Sequence, residues 1–221
     1  MEPSPDIKLA GILCPLSALR GEEDLGVGDT AALVGFAAWA AEKGFGLVQI
    51  LPVNETGSDH SPYNIISSMA YEPSTITTTP KWLPELTRKA FDQVCARHDI
   101  EALRTGPVKY AAVKALKNEL LETAFRVFRS RKSDRVRVRA FAKFEQAEAD
   151  WLAPYSMFRA LAAWNGSEVT TRWPHEHLCP ESAEEWEADL PAADRKRFRD
   201  LVRFYRYVQW VARMQWKTVR A

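Results

Sequence analysis

The run Leu47-Val48-Gln49-Ile50-Leu51 stops abruptly at Pro52 and leads at once into a polar loop holding Asn54, Glu55, Thr56, Ser58, Asp59, His60, Ser61 and Tyr63. A short aliphatic and β-branched run of this kind reads as a buried strand. In barrels and open α/β sheets, the loop leaving the carboxyl end of a strand is where ligands are held. The side chains here suit a hydroxylated ligand, and Tyr63 adds a ring face to its hydroxyl. A solvated surface loop is the plainer alternative.

Upstream of this strand the pattern completes a β-α-β unit. Ile7 to Cys14 reads as a first strand that halts at Pro15. After the loop LSALRGEEDLGVGD, Asp29 is placed to cap a helix over Thr30 to Lys43 by accepting from the orphan N–H groups of its first turn. Leu33, Phe36, Ala37, Ala40 and Ala41 share one face at helical spacing. Lys43 falls in the last turn and Gly44 suits the left-handed residue that ends a helix. Two strands joined by a helix are expected to lie parallel in one sheet.

Beyond residue 75 no further strand is evident. Thr75 to Pro80, TITTTP, reads as a linker-like patch, and helical spacing dominates from there on. Expected helices cover Pro84 to Arg97, Val108 to Arg129, Val136 to Trp164 (interrupted at Pro154) and Arg195 to Arg220. Phe198, Leu201, Tyr205, Val208, Ala212, Gln215 and Val219 line one face of the last helix; Trp210, Met214 and Trp216 widen it. A parallel strand pair must be continued and covered on both faces, whereas a closed (β/α)₈ barrel takes about 250 residues. The sheet therefore reads as unfinished. The expected fold class is α/β, with three parts: residues 1–80 with the β-α-β unit and polar loop, a helical part over 81–190, and a long returning helix over 191–221.

Composition narrows the function classes. A formal charge of +1 argues against bulk binding to nucleic acid or an acidic membrane. Cys14, Cys95 and Cys179 are odd in number with no CxxC pair, which favours a reducing, cytoplasmic compartment. The opening residues MEPSPD lack the pattern of a secretory signal, and no apolar run approaches the roughly 18 residues of a membrane span. With eight tryptophans and 46% hydrophobic residues there is ample material for a core.

Several constellations have plain readings. His175-Glu176-His177 with Cys179 lacks metal-ligand spacing and reads as a polar loop after Trp173-Pro174, so no metal or other cofactor is expected. Arg126 to Lys143 is rich in basic residues but carries no groove-reading motif, and reads as a solvated helical face. GVGD at 26–29 lacks the spacing of a phosphate-binding loop. Glu22, Glu23 and Asp24 precede the first helix, where they favour its dipole. No two acids form an evident acid/base pair.

The motifs taken together resemble the amylomaltases, the 4-alpha-glucanotransferases also known as disproportionating enzymes. GILCPLSALR and LGVGD are similar to that family's first strand and the loop after it. VQILPVNETGSDHSPYNIISSMAYEP resembles the pattern QxLP, TG, SPY and S-x-x-A-x-x-P. FEQAEADWLAPYSMFRAL, RWP and FYRYVQWVARMQWKTVRA continue the resemblance in order to the end of the chain.

The resemblance implies the leading portion of a (β/α)₈ TIM barrel, its first two strands, carrying a large helical insertion, with the barrel incomplete. It implies transfer of α-1,4-glucan segments between maltodextrins, with glucose among the acceptors, through a glycosyl-enzyme on an aspartate and a glutamate acid/base. That retaining route needs two carboxyls about 5 to 5.5 Å apart. In the family these acids lie on later strands, so no catalytic residue is expected here, and the 221 residues alone are expected to be inactive without the carboxyl-terminal half of the barrel. Tyr63, Ser61 and Asp59 are the implied substrate contacts, Asp59 equally as a loop-holding residue. The sequence departs from the family at Tyr71, Glu72 and Ser74. Trp173 and the two QW pairs read as packing residues rather than sugar platforms. A chain that stops on a helical turn at Ala221 favours truncation; a non-catalytic, glucan-binding or partner-completing relative is the alternative.

Overall fold

The computed structural model describes residues 8–130 and 134–220. Ile7, the expected start of the first strand, lies outside them. Strand β1 spans Gly11–Cys14 and pairs in parallel with β2, Leu47–Ile50, in the register Gly11↔Leu47 through Cys14↔Ile50. Between them runs α1, Thr30–Glu42, whose first turn is capped by the Asp29 side chain accepting from Ala32 N. Gly44 follows at φ +82°, a conformation that side chains resist. Among the described residues the sheet has these two strands only.

The chain divides into two compact units, Met1–Ala124 with Val211–Ala221, and Phe125–Trp210. These limits fall inside helices α4, Tyr110–Phe128, and α8, Ala192–Val219, rather than at residues 80 and 190.

In the first unit, Leu16, Leu19, Ala32, Leu33 and Trp216 form a core against one face of the sheet, with Cys14, Val48 and Ile50 packed on it. Of the expected α1 face, Leu33 and Ala40 are buried, whereas Ala37 and Ala41 are exposed. A sheet two strands wide offers the helix only a narrow bed. The opposite sheet face is open: Leu13 is 59% exposed and Leu47 52%.

The segment expected to be a linker is instead core. Ser74 through Thr79 are all buried, with Ile76 at 1% exposure. Two distant side chains hold it there. Lys117 of α4, itself buried, donates to Ser74 O at 2.7 Å and Ile76 O at 2.8 Å, and lies 3.4 Å from the Asp29 carboxylate. Gln215 of α8 accepts from Thr77 N at 2.9 Å and donates to Thr77 O at 2.8 Å. The hydroxyls of Thr75 and Thr77 and the main-chain groups of Ser74, Ile76 and Thr77 thus find partners inside the protein, whereas the Thr78 and Thr79 hydroxyls are buried without one.

Two helix boundaries differ from expectation. The run from Pro84 is helical only as α2, Arg88–Cys95, because the Thr87 hydroxyl caps it by accepting from Ala90 N; the short α3, Ile100–Arg104, follows. The stretch 136–164 breaks at Glu148, between α5, Arg135–Ala147, and α6, Ala149–Asn165. Pro154 lies inside α6, so the carbonyl one turn before it receives no N–H from this position. Gly166 ends α6 in the left-handed region at φ +64°.

The second unit is built on rings. Phe128 meets Phe141 edge-on at 5.3 Å, and both contact Tyr207 and Trp210 of α8. A second cluster gathers Ala160, Leu161, Trp173 and Phe198 with Ala183 of α7, Pro180–Asp189. Trp173 is 8% exposed, and both members of each QW pair, Gln209-Trp210 and Gln215-Trp216, are buried, so these residues pack, as the sequence implied. No helix among the described residues is long and apolar enough to cross a membrane.

Candidate functional site

The loop leaving β2 is folded by its own main chain. Past Pro52 it runs out and back on itself, with Glu72 N donating to Val53 O, Glu55 N to Ala70 O, Ile66 N to Glu55 O and Gly57 N to Asn64 O. Isolated antiparallel bridges join Asn54 to Tyr71 and Thr56 to Ile65. Its base is anchored by Glu72, which is buried and accepts from Thr56 N, Thr56 Oγ1 and Ser74 N. Lys114 of α4 completes the anchor at 3.2 Å. Burial works against the Glu72 charge, yet Lys114 and the N–H groups of Thr56 and Ser74 outweigh it and hold this carboxyl below the usual range.

The tip of the loop carries the three expected contact residues. Asp59 Oδ1 accepts from Ser61 N at 3.1 Å, and its Oδ2 accepts from Asn64 Nδ2 at 2.8 Å. The Asn64 amide first, then the Ser61 N–H, lower its pKa from the ordinary aspartate value. Ser61 Oγ accepts from Tyr63 N at 3.3 Å. Asp59 and Ser61 are therefore engaged in shaping the turn, and Tyr63, 76% exposed, is presented outward. The three residues share one turn, but Tyr63 alone has a side chain standing free of it.

Beneath the tip, residues that sequence reasoning left unassigned come together. His60, at φ +55°, stacks its ring on Tyr110 with centroids 4.5 Å apart. Both line a cavity of about 260 Å³ that also touches Leu16 beyond β1, Leu51 and Pro52 beyond β2, and the Glu72–Lys114 pair. This cavity lies at the carboxyl ends of both strands, where α/β folds hold ligands. Nothing local in the sequence pairs His60 with Tyr110 or Glu72 with Lys114, because the partners are 50 and 42 residues apart. Among the described residues no cluster of His, Cys, Asp and Glu is arranged to hold a metal ion. The expected polar loop at 175–177 is a 3-10 turn with His177 buried inside it.

A parallel β-α-β unit with an anchored, hydroxyl-rich loop at the carboxyl end of β2 defines an α/β protein. The sequence profile of the 4-alpha-glucanotransferases matches residues 14–221, and the chain belongs to that family. It is similar to the 4-alpha-glucanotransferase of Chlamydia pneumoniae, 31% identical over 96% of this chain and 38% of the relative. The Thermus thermophilus enzyme is 30% identical over 96% of this chain and 39% of its own length. The fold is similar to that of the amylomaltase from Streptococcus agalactiae solved in complex with acarbose, with a TM-score of 0.70 at 21% identity over 96% of this chain and 40% of that one. The chain thus spans about two fifths of the length of these three relatives.

Proposed function

We propose that these residues form the amino-terminal part of a 4-alpha-glucanotransferase that moves α-1,4-glucan segments between maltodextrins and glucose by a retaining double displacement. The observation that carries this reading is the family match over residues 14–221 combined with coverage of only 38% of a relative. Residues 81–190 are, on this reading, a helical insertion in a (β/α)₈ barrel whose later strands cover Leu13 and Leu47. Parallel sheets are buried on both faces, and the exposure of these two leucines supports that placement.

Tyr63 is the residue proposed to meet the glucan, through its hydroxyl. Ser61 and Asp59 act mainly by holding the turn that presents it, Ser61 with its hydroxyl edge beside the sugar. The catalytic carboxylates belong to the strands that complete the barrel, so the 221 residues alone carry no transfer. The charge balance fits a neutral polysaccharide and no nucleic acid. Three free thiols suit a cytoplasmic setting.

The test is to read the frame beyond codon 221 and to assay maltotriose with both the 221 residues and the extended chain. Glucose and longer maltodextrins are expected from the extended chain alone. Transfer by the 221 residues would overturn the placement of the acids, and a stop codon directly after Ala221 would favour a non-catalytic relative.

A further inference from the structure

The tip of the loop after β2 forms its hydrogen bonds within itself. His60 N donates to Gly57 O at 3.1 Å, Asn64 N donates to Ser61 O at 3.1 Å, and the Asp59 and Ser61 side chains accept inside the same turn. Among the described residues, no hydrogen bond of residues 58–63 reaches beyond 57–64. A ring ties the tip to the rest of the first unit. The His60 imidazole lies on Tyr110, with centroids 4.5 Å apart and planes inclined by 20°.

Tyr110 opens α4, and Lys114 and Lys117 follow it on one face at helical spacing. Each rung of that face holds a different stretch of chain. Lys114 meets Glu72 at the base of the loop at 3.2 Å, and Lys117 donates to Ser74 O and Ile76 O just beyond it. Tyr110 takes the tip. His60 and Pro62 line the cavity beneath the tip, while Tyr63 stands 76% exposed.

His60 holds this place against two penalties. Its φ of +55° lies in the left-handed region, where a residue with a Cβ is strained. Its Nδ1 is buried without a hydrogen-bond partner. Glycine would relieve the first penalty and phenylalanine the second. Strained conformers persist where surrounding contacts over-determine them, and the stacked ring is that contact here.

We propose that His60 is a positioning residue: its ring, stacked on Tyr110, pins the loop tip to α4 and sets where Tyr63 stands before glucan arrives. This rests on the reading of Tyr63 as the residue that meets the glucan. The flat face of the ring carries the role, since the buried Nδ1 bonds to nothing. Without the pin the tip samples other arrangements, and glucan binds only the fraction that presents Tyr63 correctly. Apparent affinity then falls by that fraction, while the transfer step from the bound state is unchanged.

Two measurements test the pin. Hydrogen exchange of the 221-residue protein reads it without any transfer reaction. His60→Gly should speed exchange over residues 57–64 about fivefold, the worth of one stacked ring pair, and leave the rest of the chain unchanged. His60→Phe should keep the slow exchange. If strain relief outweighs the ring, His60→Gly will exchange no faster; that result, or fast exchange in His60→Phe, would overturn the proposal.

In the chain extended beyond residue 221, His60→Gly should raise KM for maltotriose about fivefold with kcat within about twofold, and His60→Phe should restore KM. Tyr110→Leu should match His60→Gly, and the double variant should lose nothing more, because each removes the same contact. A fall in kcat with KM unchanged, or losses that add in the double variant, would show that the two rings act separately and sink the proposal. An extended chain that transfers no glucan would defeat the function proposed above, and the exchange rates would still decide the pin.

Discussion

Gln215 and Thr77 are bonded to each other in both directions: Thr77 N donates to Gln215 Oε1 at 2.9 Å while Gln215 Nε2 donates to Thr77 O at 2.8 Å. The amide thereby replaces a strand partner for a single residue. It also accepts from the Thr30 hydroxyl at 2.6 Å, which leaves Thr77 Oγ1 to donate to Thr30 Oγ1 and to accept from Ala31 N. One side chain of α8 thus ties the start of α1 to the segment that follows the polar loop after β2.

Gln215→Leu keeps the volume and removes the amide's bonds to Thr77 N, Thr77 O and the Thr30 hydroxyl, stranding the main chain of Thr77 in a buried site. We expect a loss of about 3 kcal/mol in urea unfolding at pH 7, with an unchanged denaturant slope. A change below about 1 kcal/mol would show that water replaces the amide.

Glu72→Gln tests the anchor of the loop. Because the Glu72 carboxyl is held below its usual range in the fold, its contribution is complete above the unfolded value of about 4.3 and fades as pH falls through the lower folded value. The variant should be about 2 kcal/mol less stable at pH 7. That gap should narrow steadily below about pH 4.3. A gap that is constant or widens on acidification would contradict the lowered pKa.

Gly28→Ala addresses the GVGD stretch. Gly28 N donates to Ser17 O at 3.0 Å, and an added Cβ would meet the carbonyl oxygens of Leu16 and Leu19 inside contact distance. The glycine is there for close main-chain approach, not for phosphate. We expect at least about 2 kcal/mol of destabilisation, read as a lower urea midpoint.

Tyr63→Phe separates function from fold. The ring is 76% exposed, so stability should stay within about 0.5 kcal/mol. In the chain extended beyond residue 221, loss of one hydroxyl contact should slow glucan transfer about tenfold, measured as glucose released from maltotriose. Unchanged transfer would remove Tyr63 from the contact set.

Sequence alone determined the elements whose signals are local. The Asp29 cap, the left-handed Gly44 and the aliphatic run of β2 are each read within a few residues, because caps, turns and pleats are themselves local geometry. The motif order from GILCPLSALR to MQWKTVRA carried the family. Tertiary structure decided what polar residues do. TITTTP looks solvated until Lys117 and Gln215 reach it from 41 and 138 residues away. Likewise only the fold shows that Asp59 and Ser61 bond within their own turn while Tyr63 keeps its side chain outward. A hydroxyl, an amide or a carboxylate has the same composition whether its partner is solvent, sugar or protein, and only the folded chain places that partner within hydrogen-bonding distance.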